Sequence, residues 1–139
     1  MTSPIRVPVR SDDLDTNGHV RGSALVAYAD HARWELVRAA GLSLERLTRA
    51  GLGPVNLETT IRFRRELRAG EAVDVTIAEH AYGEGKTSRL KQELRLADGT
   101  LVAEVTSVAG LLDLETRRLV SDLAVRWRAL LDRPELLGL

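Results

Sequence analysis

The chain has 139 residues, 20 basic and 20 acidic side chains and hence no formal net charge, and is 44% hydrophobic. That suits a single domain over 1–139 with a real core, and it lacks the basic excess of a nucleic-acid binder. Cysteine is absent, which excludes disulfides and thiolate metal sites. No membrane-length apolar run or signal-peptide stretch is present, so the expected location is the cytoplasm.

Ile5 to Arg10 reads as a short strand, followed by the turn-forming run Ser11-Asp12-Asp13-Leu14-Asp15-Thr16-Asn17-Gly18-His19. From Ser23 the period becomes helical, with Leu25, Tyr28, Ala29, Ala32, Leu36 and Ala39 on one stripe. Ser23 is the expected N-cap of this helix and Gly41 its stop. The several alanines let it lie close against a sheet. A short second helix is expected from Ser43 to Ala50.

The period then falls to two. Leu57, Thr59, Ile61 and Phe63 alternate with polar neighbours, as do Val73, Val75 and Ile77, and then Leu90, Gln92, Leu94 and Leu96. A last strand face carries Leu101, Ala103, Val105, Ser107 and Ala109. Gly83-Glu84-Gly85 and Asp98-Gly99 supply turns. Four strands without intervening helices predict an antiparallel meander. A closing helix is expected at about 121–132, presenting Leu123, Trp127, Leu130 and Leu131 and capped by Ser121 or Asp122. The fold class is therefore α+β, one long helix on one face of a curved antiparallel sheet.

Asp12, Asp13, Asp15, Asn17 and His19 lie within eight residues, just before the main helix. A helix start presents unpaired N–H groups and a positive dipole end, which hold an anion or a polarised carbonyl oxygen. A carboxylate beside them can attack that carbonyl or activate a water. Asp and Asn before a helix also cap it or make turns, and position alone favours that role.

The run from Asp13 to Val20, followed by a helix holding Tyr28 and Ala32-Arg33, resembles the hotdog-fold acyl-CoA thioesterases, the 4-hydroxybenzoyl-CoA type most of all. The Asp15, Asn17, His19 spacing is also similar to that of plant acyl-carrier-protein thioesterases. The resemblance extends to about Val120 and implies a hotdog fold and hydrolysis of an acyl-CoA or acyl-carrier-protein thioester. It places Asp15 as nucleophile or general base and implicates Asn17 and His19. The carbonyl would face the helix start at Gly22, Ser23 and Ala24, and two chains would pair edge to edge as a homodimer or homotetramer with sites at the boundary. Many such sequences continue the motif with two Asn and then a Tyr; here Arg21, Gly22 and Leu25 stand at those positions. Asp12 and Asp13 are read as turn and solvent residues.

Gly83-Glu84-Gly85-Lys86-Thr87 imitates part of a P-loop, but His80 stands where the first Gly is needed and a strand follows. CoA phosphates would instead recruit cations near this turn: Lys86 and Arg89 with Ser88, or Arg62, Arg64 and Arg65. Each is also readable as the solvated face of a strand. The histidines 19, 31 and 80 are too scattered for a zinc site and no serine-hydrolase elbow is present, so neither metal nor cofactor is expected. The rival readings are a hotdog dehydratase or hydratase, and a non-catalytic acyl-thioester-binding hotdog protein.

Overall fold

The computed structural model describes residues 4–83 and 85–139; Glu84, in the middle of the expected Gly83–Gly85 turn, lies outside them. In chain order the elements are β1 (Ile5–Pro8), α1 (Gly22–Ala39), α2 (Leu44–Ala50), β2 (Leu52–Phe63), β3 (Ala72–Ala81), β4 (Ser88–Arg95), β5 (Leu101–Asp113), the two-residue β6 (Arg118–Leu119) and α3 (Leu123–Leu130). The antiparallel sheet runs β1-β3-β4-β5-β2, with β6 beside β5. Its curl around α1 is the hotdog fold.

The sheet corrects the expected four-strand meander. Strands β3, β4 and β5 follow one another as neighbours, but β2 crosses to the far edge and pairs with β5 from Leu52↔Asp113 to Phe63↔Ala103. The edge of β3 that a meander would give to β2 is occupied by β1, from Ile5↔Val75 to Pro8↔Ala72. The 13-residue β5 also matches the 12-residue β2 in length better than the 10-residue β3 does. As an edge strand, β2 leaves Leu57 50% and Phe63 59% exposed, so its alternation does not mark a buried face along its whole length.

Helix α1 buries Ala24, Leu25, Tyr28, Ala29, Ala32, Leu36 and Val37. Ala39, placed on the same stripe by spacing, is exposed, and Ala40 is buried instead. The first half of the stripe packs with Val73, Leu94 and Val105 of the sheet, and the second half with α2 and α3 through Leu47, Leu123 and Leu130. Small residues bring backbone and sheet so close that the buried Gln92 side chain donates to the Ala29 carbonyl at 2.9 Å. Truncating a buried leucine such as Leu25 in this interface costs about 2–5 kcal/mol.

The caps also differ in part. Ser43 caps α2 by accepting from the Arg46 amide at 3.1 Å, and Gly41 follows α1 at φ +102°. Arg21, not Ser23, holds the N-cap position of α1, and the Ser23 hydroxyl accepts from Arg21 Nε at 3.2 Å. Asp122 precedes α3 without capping a backbone amide; its carboxylate takes Arg126 instead. Beyond α3, a C-terminal strap turns back over α1. The amides of Asp132 and Arg133 both donate to the Ala40 carbonyl at 2.9 Å. A Cβ on Gly41 would stand 2.5 Å from Asp132, so the crossing needs glycine.

Candidate active site

The loop before α1 is a small hairpin. Leu14 bridges Val20, the Asp15 amide donates to the His19 carbonyl at 2.7 Å, and the Val20 amide donates to Leu67 at the same distance. Inside it, Asp15 Oδ1 accepts from the amides of Asn17 at 2.8 Å and His19 at 3.1 Å. Oδ2 has no hydrogen-bond partner among the described residues, and the residue is exposed. One oxygen thus orients the carboxylate while the other faces outward with its lone pairs available. Asn17 is exposed. His19 turns away from Asp15: its Nε2 lies 2.5 Å from Glu66 Oε2, and Glu66 also pairs with Arg68. Asp15, Asn17 and His19 therefore share a turn in which the Asp15 carboxylate takes the other two backbone amides, and no hydrogen bond joins one of their side chains to another.

Asp12 is exposed beside Arg10, as expected of a solvent residue. Asp13 is not one. It is only 8% exposed, receives the Tyr28 hydroxyl at 2.6 Å and pairs with Arg21 Nη2 at 3.0 Å. Burial, with help from the Asp13 hydrogen bond, raises the Tyr28 phenol above its ordinary pKa. The signal was in the sequence: a tyrosine on a buried helical stripe needs a partner for its hydroxyl.

The helix start carries the departures from the familiar motif, and each has a local role. The Arg21 guanidinium joins the Asp12 carbonyl at 2.7 Å, the Asp13 carboxylate and the Ser23 hydroxyl. A Cβ on Gly22 would come within 2.9 Å of the Phe63 ring, so glycine lets the end of β2 lie against the start of α1. The Ala24 amide is already given to the Arg21 carbonyl and its side chain is buried. The amides of Gly22 and Ser23 have no acceptor among the described residues.

Lys86 and Arg89 are exposed and form no ion pair among the described residues, and Ser88 is half-buried. Arg64 pairs with Glu104 and Arg65 with Glu71, whereas Arg62 is exposed and unpaired among the described residues. The Lys86–Arg89 segment and the Asp15 loop occupy opposite ends of the sheet. Ser88 is level with Ala109, while Phe63, beside the helix start, is level with Ala103. One chain does not bring the loop and the hairpin cations together.

A feature not foreseen from sequence lies at the hairpin end. A cavity of ≈ 240 Å³ opens between the second half of α1 and strands β2 to β5, lined by Ile77, Leu90 and Trp127 and including Ser88 and Arg89. At its exposed side Arg33 donates to Asp30 at 3.1 Å and to Asn56 at 3.0 Å. Among the described residues, no group of His and carboxylates is arranged to hold a metal, and no helix is long and apolar enough to cross a membrane.

This architecture has known counterparts. Residues 9–130 match the model of the thioesterase-like superfamily, and the chain belongs to that family. A hypothetical protein of Thermus thermophilus is 26% identical, with 93% of this chain and 97% of that one covered at a TM-score of 0.79. A hypothetical protein of Staphylococcus aureus, solved in complex with CoA, is 21% identical over 100% and 95% of the two chains, TM-score 0.79. The 1,4-dihydroxy-2-naphthoyl-CoA thioesterase of Synechocystis is 16% identical over 86% and 88%, TM-score 0.77.

Proposed function

We propose that this protein hydrolyses acyl-CoA thioesters, with Asp15 as the reacting carboxylate. The observation that carries the reading is the state of Asp15: one oxygen held by two backbone amides, the other unclaimed, on the loop that leads into α1. The thioester carbonyl oxygen would take the amides of Gly22 and Ser23, where the helix dipole favours developing negative charge. Asp15 Oδ2 then either attacks the carbonyl carbon, giving an anhydride that water cleaves, or takes a proton from a water that attacks it. In both routes the C–S bond breaks, the thiolate takes up a proton, and the products are a free acid and CoA.

The separation of the two ends of the sheet supports a site shared between copies. Among the described residues strand β2 pairs only with β5, and its other edge is long and partly apolar. Strand β1, at the other edge, has four residues and ends in Pro8, a blunted edge. An antiparallel pairing of two β2 edges, centred between Thr59 and Thr60, would set Phe63 of one copy opposite Asn56 of the other. The helix start of one chain would then meet the cavity and the Lys86 and Arg89 side chains of its partner. The assembly would be a homodimer, or a homotetramer of two such dimers. A panel of acyl-CoA substrates with a thiol-release readout tests the reaction: thiol released from at least one of them is the expected result. CoA binding without thiol release from any substrate would overturn it in favour of a binding protein.

A further inference from the structure

The C-terminal strap, which contributes Leu137 to the cavity wall, has no part in the chemistry above. The buried Leu137 side chain, 4% exposed, lines the cavity and belongs to the same core cluster as Leu130 and Leu131. Its carbonyl is held twice. The Tyr82 hydroxyl donates to it at 2.8 Å, and His80, in the tautomer protonated on Nδ1, donates to it as well. Burial favours the neutral form of both side chains, lowering the His80 pKa and raising that of Tyr82. Farther back the strap is tied by Asp132 to Arg46 at 2.7 Å and by two amides to Ala40. Residues 131–139 lie outside the region matched by the family model.

The walls suit an alkyl or aryl group. Ile77, Leu90 and Trp127 give apolar surface, while the polar groups Asp30, Arg33 and Asn56 satisfy one another at the exposed side. A cavity of roughly 150 Å³ admits benzene, so ≈ 240 Å³ accommodates a chain of about eight to ten carbons. We propose that this cavity receives the far end of the acyl group, that the C-terminal strap is its floor, and that Leu137 sets the length of chain accepted. The acyl identity of the substrate rests on the proposed hydrolysis, but occupancy of the cavity does not.

Both tryptophans of the chain, Trp34 and Trp127, line the cavity, so intrinsic fluorescence reports its filling independently of turnover. The probes are free fatty acids from six to twelve carbons. Affinity is expected to rise about fourfold per methylene and to level off near the length the cavity holds. Leu137→Ala should move that limit up by about three carbons, the number the truncation removes, and Leu137→Phe should move it down. The acyl-CoA length preference in kcat/KM should shift in the same directions. Melting curves identify a variant that fails to fold, and the two opposed substitutions keep the test open if one does. A fluorescence response with an unchanged limit in both folded variants, or no response to any fatty acid, overturns the proposal. Length-dependent binding without thiol release would leave the cavity assignment standing and remove the hydrolase reading; thiol release with an unchanged limit would do the reverse.

Discussion

Asp12, Asp13 and Asp15 are nearly interchangeable on paper, and their surroundings separate them. Asp12 lies in solvent, Asp13 is buried under Tyr28 and Arg21, and Asp15 presents one unclaimed oxygen. Asp15→Asn preserves the turn, because the amide oxygen can still accept from Asn17 and His19. Stability should stay near wild type while kcat falls by about two orders of magnitude or more, the scale of a positioned acid–base or nucleophilic group. Asp13→Asn should do the opposite. It removes the charge partner of Arg21 and weakens the buried Tyr28 bond, costing about 1–3 kcal/mol in a denaturation curve, with turnover reduced only in proportion to the folded fraction. Near-full thiol release by Asp15→Asn would move the chemistry elsewhere. The sequence pointed to the loop through its composition and the helix that follows. The preference for Asp15 came from the family resemblance, and nothing separated Asp13 from Asp12, because burial of Asp13 depends on where a side chain fifteen residues away ends up.

At the scale of elements, α1, α2 and the individual strands were legible because hydrophobic period and turn residues are local. The partner of β2 was not, since antiparallel pairing to β3 or to β5 satisfies the same alternation, and the edge of β3 is taken by β1. The exposed β2 edge gives a direct prediction. Leu57→Lys adds charge to a half-exposed apolar position and should shift light scattering from dimer or larger toward monomer, with activity lost in parallel. An active monomer would refute the shared site. The strap was invisible for another reason: its anchors, Ala40, Arg46, His80 and Tyr82, come from distant segments. It also carries a pH dependence. His80 is held below its ordinary value of 6.5, chiefly by burial, so below about pH 6.5 the unfolded chain binds a proton that the folded chain resists. Its contribution to stability is complete above that pH and is lost as the pH falls from there through the folded-state value. Thermal melts between about pH 7.5 and 5.5 should show a decline that is shallower in His80→Gln; equal slopes would exclude His80 as the source.

At the scale of the whole molecule, the proposed binding groups and the proposed reacting carboxylate sit at opposite ends of one curled sheet. If Lys86 and Arg89 meet the phosphates of CoA, Lys86→Ala and Arg89→Ala should raise KM with little change in kcat, since that binding is common to ground and transition states. The difference from wild type should shrink with added salt. An unchanged KM in both variants would return these side chains to the solvated surface.

That separation makes the two ends genetically divisible. In the proposed dimer, a chain with Asp15→Asn still offers a sound cavity to its neighbour, and a chain whose cavity is filled by Ala109→Trp still offers a sound Asp15. Neither variant alone forms a working centre. Co-refolded in equal amounts, they would assemble heterodimers in which one centre collects both defects and the other collects none. Random pairing makes half the dimers mixed, so the mixture should recover about a quarter of wild-type activity from two dead parents. A mixture as inactive as its parents, with subunit exchange verified, would mean that each chain works alone.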